Sequence, residues 1–150
     1  MKYFAYGSNM SWDELRAWCP SAEFVTIARL PDHRLDFTRY SQRRRGGVAD
    51  VVPSNGDEVW GVLYDIPSDE LPALDRKEGV PNAYQRQDVR VIVQSGERAE
   101  ALTYTVVQKV PTQLPSQSYI DLILKGAREW KLPAEYVRKL EQIERRPTDS

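Results

Sequence analysis

Apolar and polar positions along this chain fall mostly into short strand-like runs, broken by residues that turn the backbone. Lys2–Tyr6 is rich in aromatics and predicts a buried strand. Gly7-Ser8-Asn9 follows, and Ser11-Trp12-Asp13-Glu14 has the pattern of a capping box that opens a helix. Glu23–Leu30 alternates weakly through Phe24, Val25, Ile27 and Leu30, and Arg34–Tyr40 carries Leu35 and Phe37; each reads as a strand. Gln42–Gly47 is a loop, Val48–Val52 a short strand, and Ser54-Asn55-Gly56-Asp57 a turn signal ahead of the strongly apolar strand Glu58–Ile66. Ala83–Val93 and Arg98–Val107 are joined through Gln94-Ser95-Gly96-Glu97, a hairpin connection containing glycine.

Helical periodicity enters in three further places. Pro67-Ser68-Asp69-Glu70 starts a helix with acids in its first turn; the helix carries Leu71 and Leu74 and stops at Gly79, a left-handed cap. Ser116–Lys131 sets Tyr119, Ile120, Ile123, Leu124 and Ala127 on one stripe. Pro133 is placed to open a last helix through Ile143. About seven strands joined mostly by short turns, with about three or four helices, predict an α+β domain with mainly antiparallel pairing rather than a doubly wound sheet. The domain is expected over residues 1–144, with a frayed tail over 145–150.

Composition narrows the classes. A chain of 150 residues with 41% hydrophobic and 29% charged residues is one ordinary globular domain. Its net charge of -1 supplies no general field for nucleic acid or an anionic membrane, and its apolar runs are too short for a span. A cytoplasmic location is expected. The single cysteine, Cys19, excludes an internal disulfide, and one His with one Cys makes a transition-metal site a poor reading. Cys19 is expected to be a structural thiol and His33 a solvated loop residue.

Two features carry chemistry. The step from strand through Gly7-Ser8-Asn9 to a helix start can form a nest of amide donors for a carboxylate or an oxyanion, although the same residues also make an ordinary turn. Glu78 lies in the last turn of its helix, where the macrodipole disfavours negative charge, with apolar Val80 and Pro81 after it. A carboxyl so placed holds its proton more tightly than usual, which suits a general acid/base; the plainer reading is a solvated Glu paired with a nearby Lys or Arg. The Arg43-Arg44-Arg45 run reads better as a solvated loop than as a nucleic-acid site, since so few arginines make few phosphate contacts.

Taken together, Tyr6-Gly7-Ser8-Asn9-Met10, Gly56–Val62, Leu74–Val80, Pro115–Tyr119, Lys125-Gly126-Ala127 and Leu132–Tyr136 resemble the γ-glutamylcyclotransferase (AIG2-like) family over nearly the full length. The resemblance implies a small β-barrel flanked by helices. It also implies a cofactor-free enzyme that cyclises γ-glutamyl-amino acids to 5-oxoproline, with a small-molecule substrate and a possible homodimer. It places the catalytic Glu at Glu78 and the substrate-cradling loop at Tyr6, Gly7, Ser8 and Asn9. Tyr84, Tyr104 and Tyr119 fall at pocket tyrosines. The main departure is the Ser41–Gly47 loop with its arginines, which puts leaving-group preference in question; γ-glutamyl-amines, a biosynthetic γ-glutamyl cap, or a ligand-binding module without turnover are the other readings.

Overall fold

The aromatic and β-branched runs form five strands that close into a barrel, seen here in a computed structural model that describes residues 1–147. The strands are β1 (Lys2–Ala5), β2 (Glu23–Ser41), β3 (Gly46–Asp65), β4 (Tyr84–Val93) and β5 (Arg98–Val106), in the spatial order β1-β3-β2-β4-β5. All neighbouring pairs are antiparallel except β1 and β5, which close the barrel in parallel through the pair Tyr3 and Leu102. Closure removes the exposed edges that an open sheet would present.

The strand count differs from the seven expected, because two predicted turns lie inside continuous strands. Glu23–Leu30 and Arg34–Tyr40 are parts of β2, and Val48–Val52 and Glu58–Ile66 are parts of β3. Pairing jumps from Pro31↔Glu58 to His33↔Pro53, so Ser54–Asp57 bulges out opposite Asp32. Asp32 takes a left-handed φ of 59° and its carboxylate accepts the Gly56 N–H at 3.0 Å, while Ser54 donates to Asp57. The turn residues do turn the chain, but as a protrusion that returns to the same ladder. His33 accordingly lies in β2 rather than in a loop, with Nδ1 2.9 Å from the Pro31 carbonyl oxygen.

Among the described residues, four α-helices pack around the barrel: α1 (Trp12–Arg16), α2 (Leu71–Glu78), α3 (Gln117–Glu129) and α4 (Ala134–Glu141). The expected start of α2 is a separate 3-10 turn, Ser68–Glu70, and Gly79 caps α2 with φ 67° as its sequence requires. α3 buries the predicted stripe, and Ser116 caps it by accepting the Tyr119 N–H at 3.2 Å. The capping box at Ser11 does not form: Ser11 makes no side-chain cap bond, and Glu14 turns towards two cations of the pocket described below. Cys19 is fully buried, as expected of a structural thiol. Among the described residues, no helix is long and apolar enough to cross a membrane. Of the tail expected to fray, Arg146 is tied down, its N–H donating to the Pro115 carbonyl at 2.9 Å and its guanidinium to the Arg45 carbonyl at 3.0 Å; residues 148–150 lie outside the described residues.

One close approach fixes where the Gly7 turn sits. Gly126 in the middle of α3 faces Met10, and a Cβ there would stand 2.5 Å from the Met10 carbonyl carbon and the Ser11 nitrogen. The Met10 carbonyl also accepts from Tyr64 at 2.9 Å and from the Trp130 indole at 3.0 Å. In an exposed helix, replacing Gly by Ala stabilises by about 1 kcal/mol. Here the overlap with backbone reverses the sign: Gly126→Ala should destabilise the protein by about 1–3 kcal/mol. Urea unfolding with an unchanged m-value and a lowered midpoint is the expected result.

Candidate active site

Because Met10 is held on three sides, the segment before it is delivered rigidly from the end of β1. Tyr6 is buried and donates its hydroxyl hydrogen to the Tyr104 carbonyl at 2.6 Å. Gly7 and the 3-10 turn Ser8–Met10 follow, and the leading N–H groups of such a turn lack partners within it. Asn9 is buried and structural: its amide donates to the Tyr3 hydroxyl at 2.9 Å, and its carbonyl accepts from Lys77. These residues line one side of a cavity of about 230 Å³.

Glu78 lines the same cavity, delivered from the C-terminal end of α2. Its carboxyl pKa is pushed up from 4.5 to about 7, chiefly by burial; the positive charges of Lys77 and Arg44 pull it back down without cancelling that effect. The direction is that expected from the sequence, and burial, not helix-end position, is its main cause.

Tyr84 and Tyr119 both bond the backbone of one residue, Ala49. Between Asp36↔Asp50 and Arg39↔Val48, Phe37 and Thr38 of β2 oppose Ala49 of β3 alone, a bulge that takes Ala49 out of the ladder. The Ala49 N–H donates to the Tyr119 hydroxyl at 3.0 Å, and its carbonyl accepts from the Tyr84 hydroxyl at 2.6 Å. Tyr119 therefore keeps its own hydrogen for another acceptor, while Tyr84 has spent its hydrogen and keeps lone pairs. Burial pushes the Tyr119 hydroxyl up to about 12, so it stays protonated and able to donate. Tyr104 also lines the cavity, its hydroxyl donating to Asp75 at 2.6 Å.

All the residues expected at the site thus meet at one cavity, together with others that sequence reasoning missed. The Lys77 side chain is only 4% exposed, and its ammonium lies 3.5 Å from Glu14, as does the guanidinium of Arg44. Burial holds the Lys77 pKa below its ordinary value. Arg43 and Arg45 are exposed as expected, but the Arg44 side chain is only 17% exposed, and its guanidinium lies 5.6 Å from the centre of the Tyr119 ring. Arg39, Ser41 and Arg43 complete this wall. Next to the cavity-lining Ala49, fully buried Asp50 accepts from Thr38 and Lys109 at 2.7 Å each and from the Val106 N–H at 3.1 Å. A sequence signal did exist for Asp50, a lone acid inside the apolar run Val48–Val52.

The balance at Glu78 is testable. Replacing Lys77 by Met removes one of the two charges that favour its ionised form, so the carboxyl should titrate higher than about 7 in a carbon-13 NMR titration. A folded-state pKa raised from 4.5 to about 7 favours folding most below 4.5, and that contribution is lost as pH rises through 7. Wild type should therefore lose stability relative to Glu78→Gln between pH 5 and pH 8 in paired urea titrations.

Comparison with known proteins places the chain. The AIG2-like family matches residues 58–140. γ-Glutamylcyclotransferase of Bos taurus is 40% identical over 149 residues, spanning 95% of this chain and 78% of that protein. The Homo sapiens γ-glutamylcyclotransferase is likewise 40% identical, over 147 residues, 95% of this chain and 78% of its own. A solved structure of a γ-glutamyl cyclotransferase superposes with a TM-score of 0.95 at 37% identity, covering 100% of this chain and 91% of that one. The chain belongs to the γ-glutamylcyclotransferase (AIG2-like) family.

Proposed function

We propose that this protein is a cyclotransferase that converts a γ-glutamyl-amino acid to 5-oxoproline and the free amino acid, with Glu78 as general acid/base. The observation that carries the reading is the Glu78 carboxyl, raised to about 7, facing the same cavity as the Gly7–Asn9 turn. The cavity is smaller than the roughly 300–1,000 Å³ of drug-sized sites and suits a dipeptide-sized ligand.

The reaction is intramolecular and asks few groups to act. The substrate α-amine attacks its own γ-carbonyl carbon and closes a five-membered ring; holding the chain bent is worth roughly 7–11 kcal/mol in well-oriented closures. The ammonium form has no lone pair, so Glu78, as carboxylate, first takes one of its protons. The new N–C bond forms as the carbonyl electron pair moves onto oxygen. The oxyanion then collapses, the bond to the leaving nitrogen breaks, and the protonated Glu78 gives that nitrogen its proton. The ring nitrogen, still bearing two hydrogens and a positive charge, then passes its second proton through the Glu78 carboxylate to the departing amine, which leaves neutral lactam and an ammonium group. A carboxyl with a pKa near 7 suits both halves, being a stronger base than an ordinary Glu and still able to return the proton at neutral pH.

The free amides of the Gly7–Asn9 turn hold a negative group, either the substrate α-carboxylate or the oxyanion; a donor to the latter is worth about 2.7–4 kcal/mol. Tyr119 donates its free hydroxyl hydrogen to the same anionic end. Tyr84, with lone pairs free, accepts from the α-amine. Tyr6 and Asn9 act through position, holding the turn against β5 and Lys77.

Glu78→Gln should remain folded by circular dichroism and lose roughly 10²–10⁴-fold in 5-oxoproline release from γ-glutamyl dipeptides. In wild type, kcat/KM should rise with pH along an acid limb near 7, where free-enzyme Glu78 ionises. Full activity of the variant would end the assignment of Glu78.

A further inference from the structure

With the glutamyl end accounted for, the cavity still carries a wall of positive charge that this chemistry leaves unused. Arg44 and Lys77 share Glu14. Arg39 and Arg43, which both line the cavity, have no carboxylate within ion-pair distance among the described residues. Arg39 stands at the cavity end of β2, near enough to Tyr84 for its charge to oppose the effect of burial on that hydroxyl. Arg43 is exposed on the four-residue hairpin tip Gln42–Arg45, at the mouth.

The position of these groups decides which part of a substrate they meet. The ring-forming end is held inside, against Glu78 and the Gly7 turn, so the leaving group points to the mouth. A γ-glutamyl-amino acid brings one ammonium and two carboxylates, a net charge of -1 by its formula. A γ-glutamyl-amine brings one of each and no net charge. Four cations against Glu14 and a Glu78 that is half protonated near pH 7 leave the cavity with surplus positive charge before ligand binds. A second carboxylate at the mouth relieves that repulsion, and the planar guanidinium fork matches it with paired hydrogen bonds.

Building on the cyclotransferase reading, we infer that Arg39 and Arg43 form a subsite for the free carboxylate of the amino acid that leaves. The subsite selects γ-glutamyl-amino acids over γ-glutamyl-amines and over leaving groups whose carboxylate is blocked.

The test compares γ-glutamyl-alanine with γ-glutamyl-alaninamide, which differ only in that carboxylate. In wild type, kcat/KM should favour the free acid by about tenfold or more, the scale of a charged hydrogen bond, with most of the difference in KM. In the Arg39→Gln/Arg43→Gln double variant, and in part in Arg43→Gln alone, the ratio should fall towards one. Equal use of both compounds by wild type, or an acid-to-amide ratio that survives in the double variant, overturns the inference. Calorimetric binding of the same two compounds to Glu78→Gln separates the subsite from the chemistry. A preference for the acid there supports the arginine subsite even if no compound yields 5-oxoproline, an outcome that would sink the catalytic reading alone. Equal binding sinks the subsite, whatever the turnover.

Discussion

The bulge that frees Ala49 from its ladder is the constraint on which the cavity depends. A residue inside a barrel that leaves its ladder is costly unless its N–H and C=O find other partners. Tyr119 from α3 and Tyr84 from β4 supply them, so one local irregularity recruits a helix and a strand from distant parts of the chain. The next residue, Asp50, takes donors from β2, from β5 and from Lys109 beyond β5, bracing the barrel beside the cavity-lining Ala49. β3 and β5 are not neighbours in the sheet, so this carboxylate joins strands that no ladder joins. Breaking such a buried charge network is expensive, because the groups left behind have no water to turn to.

A second constraint is electrostatic. Glu78 is set by opposition: burial favours its neutral form, two cations favour its ionised form, and burial wins by enough to bring it near neutrality. Glu14 moderates the cations by standing within 3.5 Å of both. A carboxyl with no cations near it would be too reluctant to ionise, and one in direct ion pairing would be too weak a base.

Much of this architecture was legible from residue order. The β4–β5 hairpin, the apolar stripe of α3 and the Gly79 cap follow from local rules, because each is decided within a few residues. The joining of strands into β2 and β3 was not legible: Ser54–Asp57 has true turn chemistry, and only the Asp32 carboxylate across the ladder shows that the chain rejoins its path. Gly7, Glu78 and the tyrosines were visible as oddities or through resemblance. Lys77 and Arg44 were not, because a Lys in a last helical turn and an Arg in a polar loop both have ordinary solvated readings. Their roles arise from burial, and burial is a property of the assembled wall. Glu14 was misread for a related reason, since the capping pattern was present but a pair of buried cations competes better for a carboxylate than a backbone N–H does.

The hairpin tip Gln42–Arg45 lies beyond the last β2–β3 pair, Ser41↔Gly46, and leans on the remainder of the fold through Arg146 and Arg44. Glu78 and the Gly7 turn are carried by other segments altogether. Exchanges of side chain at Gln42, Arg43 or Arg45 therefore leave the barrel ladder and the Glu78 carboxyl in place, whereas a change at Arg44 also shifts the charge balance of that carboxyl. The hairpin can thus be remodelled around a fixed Arg44, reshaping the mouth of the cavity while the carboxyl deeper in keeps its electrostatic setting.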